Sequence, residues 1–147
     1  MRVNGQWLIC EDGVERPVVL GLVRTADQEM VEVTFLLDAG ADRTVFCSDF
    51  LTLLRPLESS TPEQIHLAGV GGTVGSITVG TVIGFVRDDG RVATVRGQFG
   101  VFTEGESAEV SVLGRDVTNN FSVIYDYPNR AVALLALPHY YVIKRQS

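Results

Sequence analysis

Short apolar runs, rich in β-branched and aromatic residues, alternate along the chain with clusters of turn-forming residues. This pattern is typical of antiparallel strands. Three pairs of runs flank short polar joints and predict hairpins: residues 6–10 with 14–24, 81–87 with 91–102, and 122–127 with 131–137. Gly13 is expected to take a positive φ in the first joint. The pattern predicts a mainly β fold, either a small barrel or a sandwich-like arrangement.

The remaining periodic segments predict one further strand and two short helices. Residues 31–37 begin with alternation and end in three consecutive apolar residues, which indicates a strand that starts at the surface and enters the core. We expect Ser48 to cap a helix over residues 49–54 and Pro56 to stop it. A second short helix is predicted over residues 115–121.

Composition narrows the class of protein. With 147 residues the chain is predicted to form a single domain over residues 1–147. Its 46% apolar and 20% charged residues do not fit a disordered tail, a collagen-like fibre or a coiled coil. The net charge of −6 disfavours binding to nucleic acid or to an anionic membrane surface. No apolar stretch has the roughly 20 residues of a membrane span, and the apolar run near the amino end is too short for a signal peptide.

The two cysteines, Cys10 and Cys47, are too few for a disulfide framework and lack the paired spacing of a zinc site. His66 and His139 stand alone. We therefore expect no metal, no cofactor and a reducing, cytoplasmic setting. Cys47 with His66 as a thiol protease pair is disfavoured, because no third group is in place to orient the histidine.

The segment around Asp38 is the most informative for chemistry. Asp38 ends an apolar run and is followed by Ala39 and Gly40, which are too small to cover it. A carboxyl group that stays reachable while its surroundings exclude bulk water suits acid/base chemistry. The alternative is that Asp38 caps a turn in which Gly40 supplies the backbone freedom.

A second segment, residues 67–75, contains four glycines in an otherwise strand-like stretch. Glycines there let a hairpin move and let its backbone approach a ligand closely. A phosphate-binding loop is disfavoured, because Val74 breaks the G-x-G-x-x-G pattern from Gly69 and a β-rich run follows where a helix is required. A purely structural glycine-rich turn remains the alternative.

Together with a third segment, residues 112–116 (Val-Leu-Gly-Arg-Asp), these motifs resemble the retropepsins, the single-domain aspartic proteases of retroviruses and their cellular and bacterial relatives. The resemblance covers about residues 31–137. It implies a small closed β-barrel of the retropepsin-like (acid protease) type with one or two short helices. It also implies that Asp38 is the catalytic residue and that the glycine-rich segment is a flap over the substrate.

The resemblance further implies that the chain acts as a homodimeric endopeptidase on a peptide or protein substrate. Peptide hydrolysis of this kind takes two carboxyl groups around one water, as in the aspartic-protease dyad. Asp12 and Asp89 lie in predicted hairpin turns, so Asp38 of a second copy must supply the other carboxyl. The residues that the resemblance places against substrate are Gly40, Ala41, Asp42, Gly69, Val70 and Gly71.

The resemblance assigns two supporting roles. Asp42 is expected to pair with Arg115 and so to tie the active-site loop to the helix, either as a partly buried pair or as a surface ion pair. Ala39 departs from the family, which has Thr or Ser there and uses the hydroxyl to bond across the dimer. Its loss is expected to weaken dimerisation and activity. The alternatives are a weak or inactive dimer that binds peptides or proteins, and a monomeric β-barrel with an unrelated role.

Overall fold

The computed structural model of the protein describes residues 1–59, 68–69, 72–73, 75–105 and 110–146. Within these residues the chain forms twelve strands and two short helices. The helices are α1 (Leu51–Leu54) and α2 (Arg115–Thr118). The strands, in chain order, are β1 (Arg2–Asn4), β2 (Gln6–Ile9), β3 (Glu15–Arg24), β4 (Met30–Leu37), β5 (Val45–Phe46), β6 (Ala68–Gly69), β7 (Gly72–Thr73), β8 (Ser76–Val86), β9 (Val92–Phe102), β10 (Ser111–Leu113), β11 (Ser122–Asp126) and β12 (Ala131–Leu135).

The main sheet closes into a six-stranded barrel. The whole sheet has seven strands in the order β2-β3-β4-β10-β5-β9-β8. The additional pairing of β3 with β8 closes the six strands from β3 to β8 into the barrel, and β2 extends the sheet from β3 outside this ring. The long β3 makes this closure possible, because its first half pairs with β2 while its second half reaches β8. Of the two folds that the strand pattern left open, the structure therefore selects the barrel.

A separate three-stranded sheet has the order β1-β12-β11. All of its pairings are antiparallel, and β11 forms one edge. The two residues of β6 pair with the two residues of β7 as a small hairpin.

The three predicted hairpins are confirmed as β2–β3, β8–β9 and β11–β12. Gly13 has φ +80 in the first turn, as expected, and Gly90 has φ +83 in the second. At these turns the strands stop one residue short of the apolar runs, except that β12 begins where its run begins, because the turn residues bond to one another. Asp12 Oδ1, for example, accepts a hydrogen bond from the backbone N of Val14 at 3.0 Å.

The prediction that residues 31–37 run from surface to core is also confirmed. In β4 the alternate residues Val33, Phe35 and Leu37 are buried, and Met30 at its start is exposed. Phe35 packs against Phe46, with ring centroids 5.6 Å apart, in the centre of the barrel. The strand therefore ends in the core at Leu37, and Asp38 follows it directly.

The helix predicted after Cys47 forms differently. Ser48 is the first residue of a 3-10 turn, Ser48–Phe50, and no side chain caps it. Pro56 does not stop the segment, because α1 continues into a second 3-10 turn, Arg55–Leu57, in which the proline occupies an early position that needs no N–H. The second helix, α2, is shorter than predicted. Among the described residues, no helix is long and apolar enough to cross a bilayer.

Candidate active site

Asp38 follows β4 directly and is half-buried. Its backbone N donates to Leu113 O at 3.3 Å, which fixes the start of the loop to the end of β10. Gly40 N donates to Asp38 Oδ1 at 2.9 Å, and Ala41 N donates to Asp38 O at 3.1 Å. The carboxylate is thus oriented by a tight turn of its own loop, while Ala39 and Gly40 leave it reachable from solvent.

The loop over residues 38–44 crosses the end of β10. That strand lies between β4, with which it is parallel, and β5, with which it is antiparallel. Gly114 follows β10 and passes directly beneath Arg43: a Cβ on this glycine would lie 2.4 Å from the Arg43 carbonyl carbon. Arg115 N then donates to Ala41 O at 2.9 Å. Glycine at position 114 is required by this close approach.

Thr44 and Asp116 hold the far end of the loop, and sequence reasoning gave neither residue a role. The Thr44 hydroxyl donates to Asp116 Oδ1 at 2.7 Å and accepts from Gly114 N at 3.0 Å. Thr44 N donates to the second carboxylate oxygen, Oδ2, at 3.0 Å. Because Thr44 is fully buried, these bonds satisfy groups that water does not reach. The only sequence signal was Asp116 beside Arg115.

The predicted pair between Asp42 and Arg115 is present, and Arg115 Nη1 also donates to Ala39 O at 3.1 Å. In the single chain both side chains are exposed, Arg115 by 48% and Asp42 by 77%, as in the surface ion pair that was one of the two alternatives. Exposed ion pairs typically contribute less than about 1 kcal/mol. Arg115 therefore fixes the position of the loop and contributes little to the stability of the fold.

The structure places the other predicted substrate residues as follows. Gly40 is exposed and Ala41 is half-buried on the same loop as Asp38. Gly69 lies in β6, opposite Gly72 of β7. Val70 and Gly71, the predicted flap tip, lie outside the described residues.

Two other aspartates are turn residues, as expected. Asp12 bonds to Arg16 and to the backbone of Val14, and these contacts lower its pKa to about 2. A hydrogen bond from Arg91 N lowers the pKa of Asp89. Both groups are therefore ionised at any pH near neutrality.

The geometry gives no support to Cys47 and His66 as a thiol protease pair. Cys47 is buried, and its backbone N donates to Ser111 Oγ at 3.0 Å. His66 lies outside the described residues. Within the part of the chain that the structure describes, no three His, Cys, Asp or Glu side chains converge on a possible metal site.

Trp7, Tyr125 and Tyr127 form an aromatic cluster. The Trp7 ring lies 6.4 Å from that of Tyr125 and 5.0 Å from that of Tyr127. Partial burial raises the pKa of Tyr125, and the negative charge of Asp38 raises it further. No sequence pattern predicted this electrostatic influence of Asp38 on Tyr125.

Three solved structures are similar to this chain. A retropepsin-like aspartic protease from Rickettsia conorii is 12% identical, with 91% of this chain and 90% of that chain covered and a TM-score of 0.55. The EIAV protease complexed with the inhibitor HBY-793 is 24% identical over 71% of this chain and 86% of its own, with a TM-score of 0.46. The retroviral protease-like domain of Ddi1 from Leishmania major is 15% identical over 82% and 96%, with a TM-score of 0.42.

No known family profile and no curated protein matches the sequence. The first of the three structures supports a retropepsin-like fold for this chain. At such low identity the likeness extends to the fold alone.

Proposed function

We propose that this protein is an aspartic-type endopeptidase that works as a homodimer, with one Asp38 from each chain. The observation that carries the proposal is the Asp38 loop itself. A half-buried carboxylate, oriented by Gly40 N and backed by β10, lies at an open position of a retropepsin-like fold. Since Asp12 and Asp89 are occupied in turns, a single chain offers half of the pair that the chemistry needs.

The proposed reaction uses one water between two carboxyl groups that share a proton. The ionised carboxylate takes a proton from the water as its oxygen attacks the peptide carbonyl carbon, and the protonated carboxyl donates to the carbonyl oxygen. The tetrahedral intermediate then breaks at the C–N bond, and the nitrogen leaves with a proton returned from the pair. Gly40 N keeps one oxygen of each Asp38 fixed through these steps.

The edge of the three-stranded sheet supports the dimer. On its outer side β11 has no strand neighbour among the described residues. An antiparallel pairing of β11 with a second β11 about Ile124 would set Asp126 opposite Ser122, so no like charges would meet. The twofold interface proposed here is of the commonest kind in oligomers.

For the substrate we propose an extended peptide with mainly apolar side chains next to the cut. The backbone groups of Gly40, with Ala41 and Asp42 beside them, would line one side of the peptide, and the glycine-rich segment that includes Gly69, Val70 and Gly71 would cover it. We also propose a cytoplasmic location, which agrees with Cys10 and Cys47 being free thiols.

A second candidate is a dimer that binds peptides but does not cut them. The observation in its favour is Ala39, whose exposed side chain carries no hydroxyl to bond across the dimer. Loss of such bonds, worth about 0.5–1.5 kcal/mol each, weakens a dimer without removing a carboxylate.

The test compares wild-type protein with Asp38→Asn on a peptide library near about pH 5, where a shared proton is retained. Concentrations are set by sedimentation so that both proteins are dimeric. We expect cleavage by the wild type, none by Asp38→Asn, and full activity in the control Asp12→Asn. If wild type and Asp38→Asn are both dimeric and neither cleaves any peptide, the endopeptidase proposal is wrong and the peptide-binding dimer remains.

The pH profile gives an independent check. Because one carboxyl of the pair must hold a proton, the rate should be highest in acidic or mildly acidic solution and fall toward neutrality. A rate that continues to rise up to about pH 8 is incompatible with the proposed pair.

A further inference from the structure

Besides Asp38, the candidate loop and the start of α2 carry four charged side chains: Asp42, Arg43, Arg115 and Asp116. Asp42 pairs with Arg115, and Asp116 is bonded within the buried network at the far end of the loop. Arg43 is exposed, and it forms no ion pair with a carboxylate in the described part of the chain. The loop that carries Asp38 therefore presents one cation that no described side chain neutralises.

Arg43 and Asp38 flank the same end of β10, which lies between β4 and β5. Asp38 follows β4, and its backbone N donates to Leu113 O, at the end of β10, at 3.3 Å. Arg43 precedes β5, and a Cβ on Gly114 would lie between 2.4 and 2.8 Å from the C, O and N atoms of Arg43. Because neighbouring strands are about 4.8 Å apart, the backbones of Asp38 and Arg43 lie within about 10 Å of each other.

This spacing matches a short stretch of an extended peptide. Such a peptide advances about 3.3 Å per residue, so about three residues span the distance from Asp38 to Arg43. A guanidinium group suits a carboxylate partner, because its N–H groups donate to both carboxylate oxygens at once. An extended substrate with its scissile bond at Asp38 would therefore bring an acidic side chain within reach of Arg43.

We propose that Arg43 is a specificity-determining residue, which selects peptides with an aspartate or glutamate about three residues from the cleaved bond. The inference rests on the proposed function and agrees with apolar side chains next to the cut. In a homodimer each chain contributes one Arg43, so the preference should occur on both sides of the cut. The overall charge of −6 is no source of such a preference, because it repels acidic peptides.

The test uses pairs of peptides that are cleaved by the wild type and differ only in Glu or Gln at one position. The position is moved from the second to the fourth residue on either side of the cut. We expect the wild type to have a kcat/KM about three- to fivefold higher for the Glu peptide at the best position, as for an exposed ion pair. Arg43→Gln should reduce this ratio to about one, and Arg43→Glu should make the Gln peptide the better substrate.

The matched control is Arg24→Gln, which should keep the wild-type ratio. Arg24 is also exposed, but it pairs with Met30 at the start of β4, at the opposite end of that strand from Asp38. A partial loss of folding cannot imitate the expected result, because both peptides are measured on the same variant and such a loss lowers both rates equally.

The pH and salt dependence of the ratio give a second readout. The proton of the carboxyl pair affects both peptides alike, so its contribution cancels in the ratio. The preference should be present at about pH 5.5 and fall toward one at about pH 3.5, because a glutamate of ordinary pKa near 4.3 is then mostly neutral. Added salt should also reduce it, since Arg43 is exposed.

Failure of this inference is distinguishable from failure of the proposed function. If the wild type cleaves peptides in an Asp38-dependent manner but wild type and Arg43→Gln have the same ratio, the role of Arg43 alone is wrong. If the wild-type dimer cleaves no peptide, the endopeptidase is wrong. Fluorescence polarisation of labelled Glu and Gln peptides of one apolar sequence on the dimer then decides whether Arg43 binds the acidic side chain, and equal affinities would overturn the inference.

Discussion

At the scale of single residues, the Thr44 hydroxyl connects two segments that are distant in sequence. It serves as donor to Asp116 and as acceptor for Gly114 N, across 72 and 70 residues of chain. Both functions are needed at once, and a hydroxyl is the smallest group that provides both. The candidate loop therefore depends on a buried residue that does not face the substrate.

Thr44→Val keeps the shape of the side chain and removes the hydroxyl. It should lower the free energy of unfolding by about 1–3 kcal/mol, because Gly114 N loses its acceptor and Asp116 loses a donor in a buried site. Urea denaturation measures the change. The same substitution at the exposed Thr94 of β9 is the control, with an expected change within about 0.5 kcal/mol. Equal effects at both positions would mean that the buried network contributes little.

The link between Asp38 and Tyr125 can be measured as a titration. A negative charge nearby disfavours the tyrosinate, so Asp38→Asn should lower the pKa of Tyr125. The pKa should still stay above the ordinary value of 10.0, because burial is the larger cause of the shift. NMR titration of labelled tyrosine rings reports this, with Tyr125→Phe to assign the signal. An unchanged pKa in Asp38→Asn would place the carboxylate out of range of Tyr125.

At the scale of elements, two glycines illustrate different constraints. Gly13 has φ +80 and open space around it, so only its backbone conformation matters. Gly114 has an ordinary φ of −90, but a Cβ there would lie within 3 Å of three backbone atoms of Arg43. Backbone atoms in a packed loop cannot move aside as the end of a flexible side chain can.

Gly114→Ala should therefore cost more stability than Gly13→Ala. We expect about 1 kcal/mol for Gly13→Ala, from the left-handed conformation alone. For Gly114→Ala we expect about 3 kcal/mol, from overpacking and from displacement of the Asp38 loop. Urea unfolding of the two variants gives the comparison. A smaller loss at Gly114 than at Gly13 would mean that the loop yields easily where it crosses β10.

At the scale of the whole molecule, the open edge of β11 determines how copies can associate. Edge strands that must remain single are commonly protected by charged side chains, especially lysine. The β11 sequence Ser-Val-Ile-Tyr-Asp has one charge, at its end. An edge of this composition suits pairing with another strand.

Ile124→Lys should convert the proposed dimer into a monomer, since it places two like charges opposite each other at the centre of the pairing. The barrel should still fold, because Ile124 is only half-buried. Sedimentation velocity measures the oligomer. Leu20→Lys, an exposed position of β3, is the matched control and should remain dimeric. Dimers of undiminished strength in Ile124→Lys would place the interface elsewhere.

Residues, elements and the whole molecule also differ in how much of their structure could be predicted from the sequence alone. The hairpins, the surface-to-core course of β4 and the resemblance of the Asp38 segment were all readable from the chain, because turns and strand alternation depend on neighbouring residues. The predicted capping role of Ser48 was wrong because residue type alone does not determine where a helical turn begins. Its residue type permits a cap, but the backbone enters a 3-10 turn one residue earlier and leaves the hydroxyl without that role.

Only the tertiary structure decided the contacts between residues that lie far apart in the chain. The parallel register of β4 with β10 brings Gly114 beneath Arg43 and Asp116 to Thr44. The fold also leaves the Asp42–Arg115 pair exposed in the single chain. The sequence determined which residues have the right chemistry, because side-chain type and turn preference are local. Their burial and their partners depend on how distant strands align, and that alignment is a property of the whole barrel.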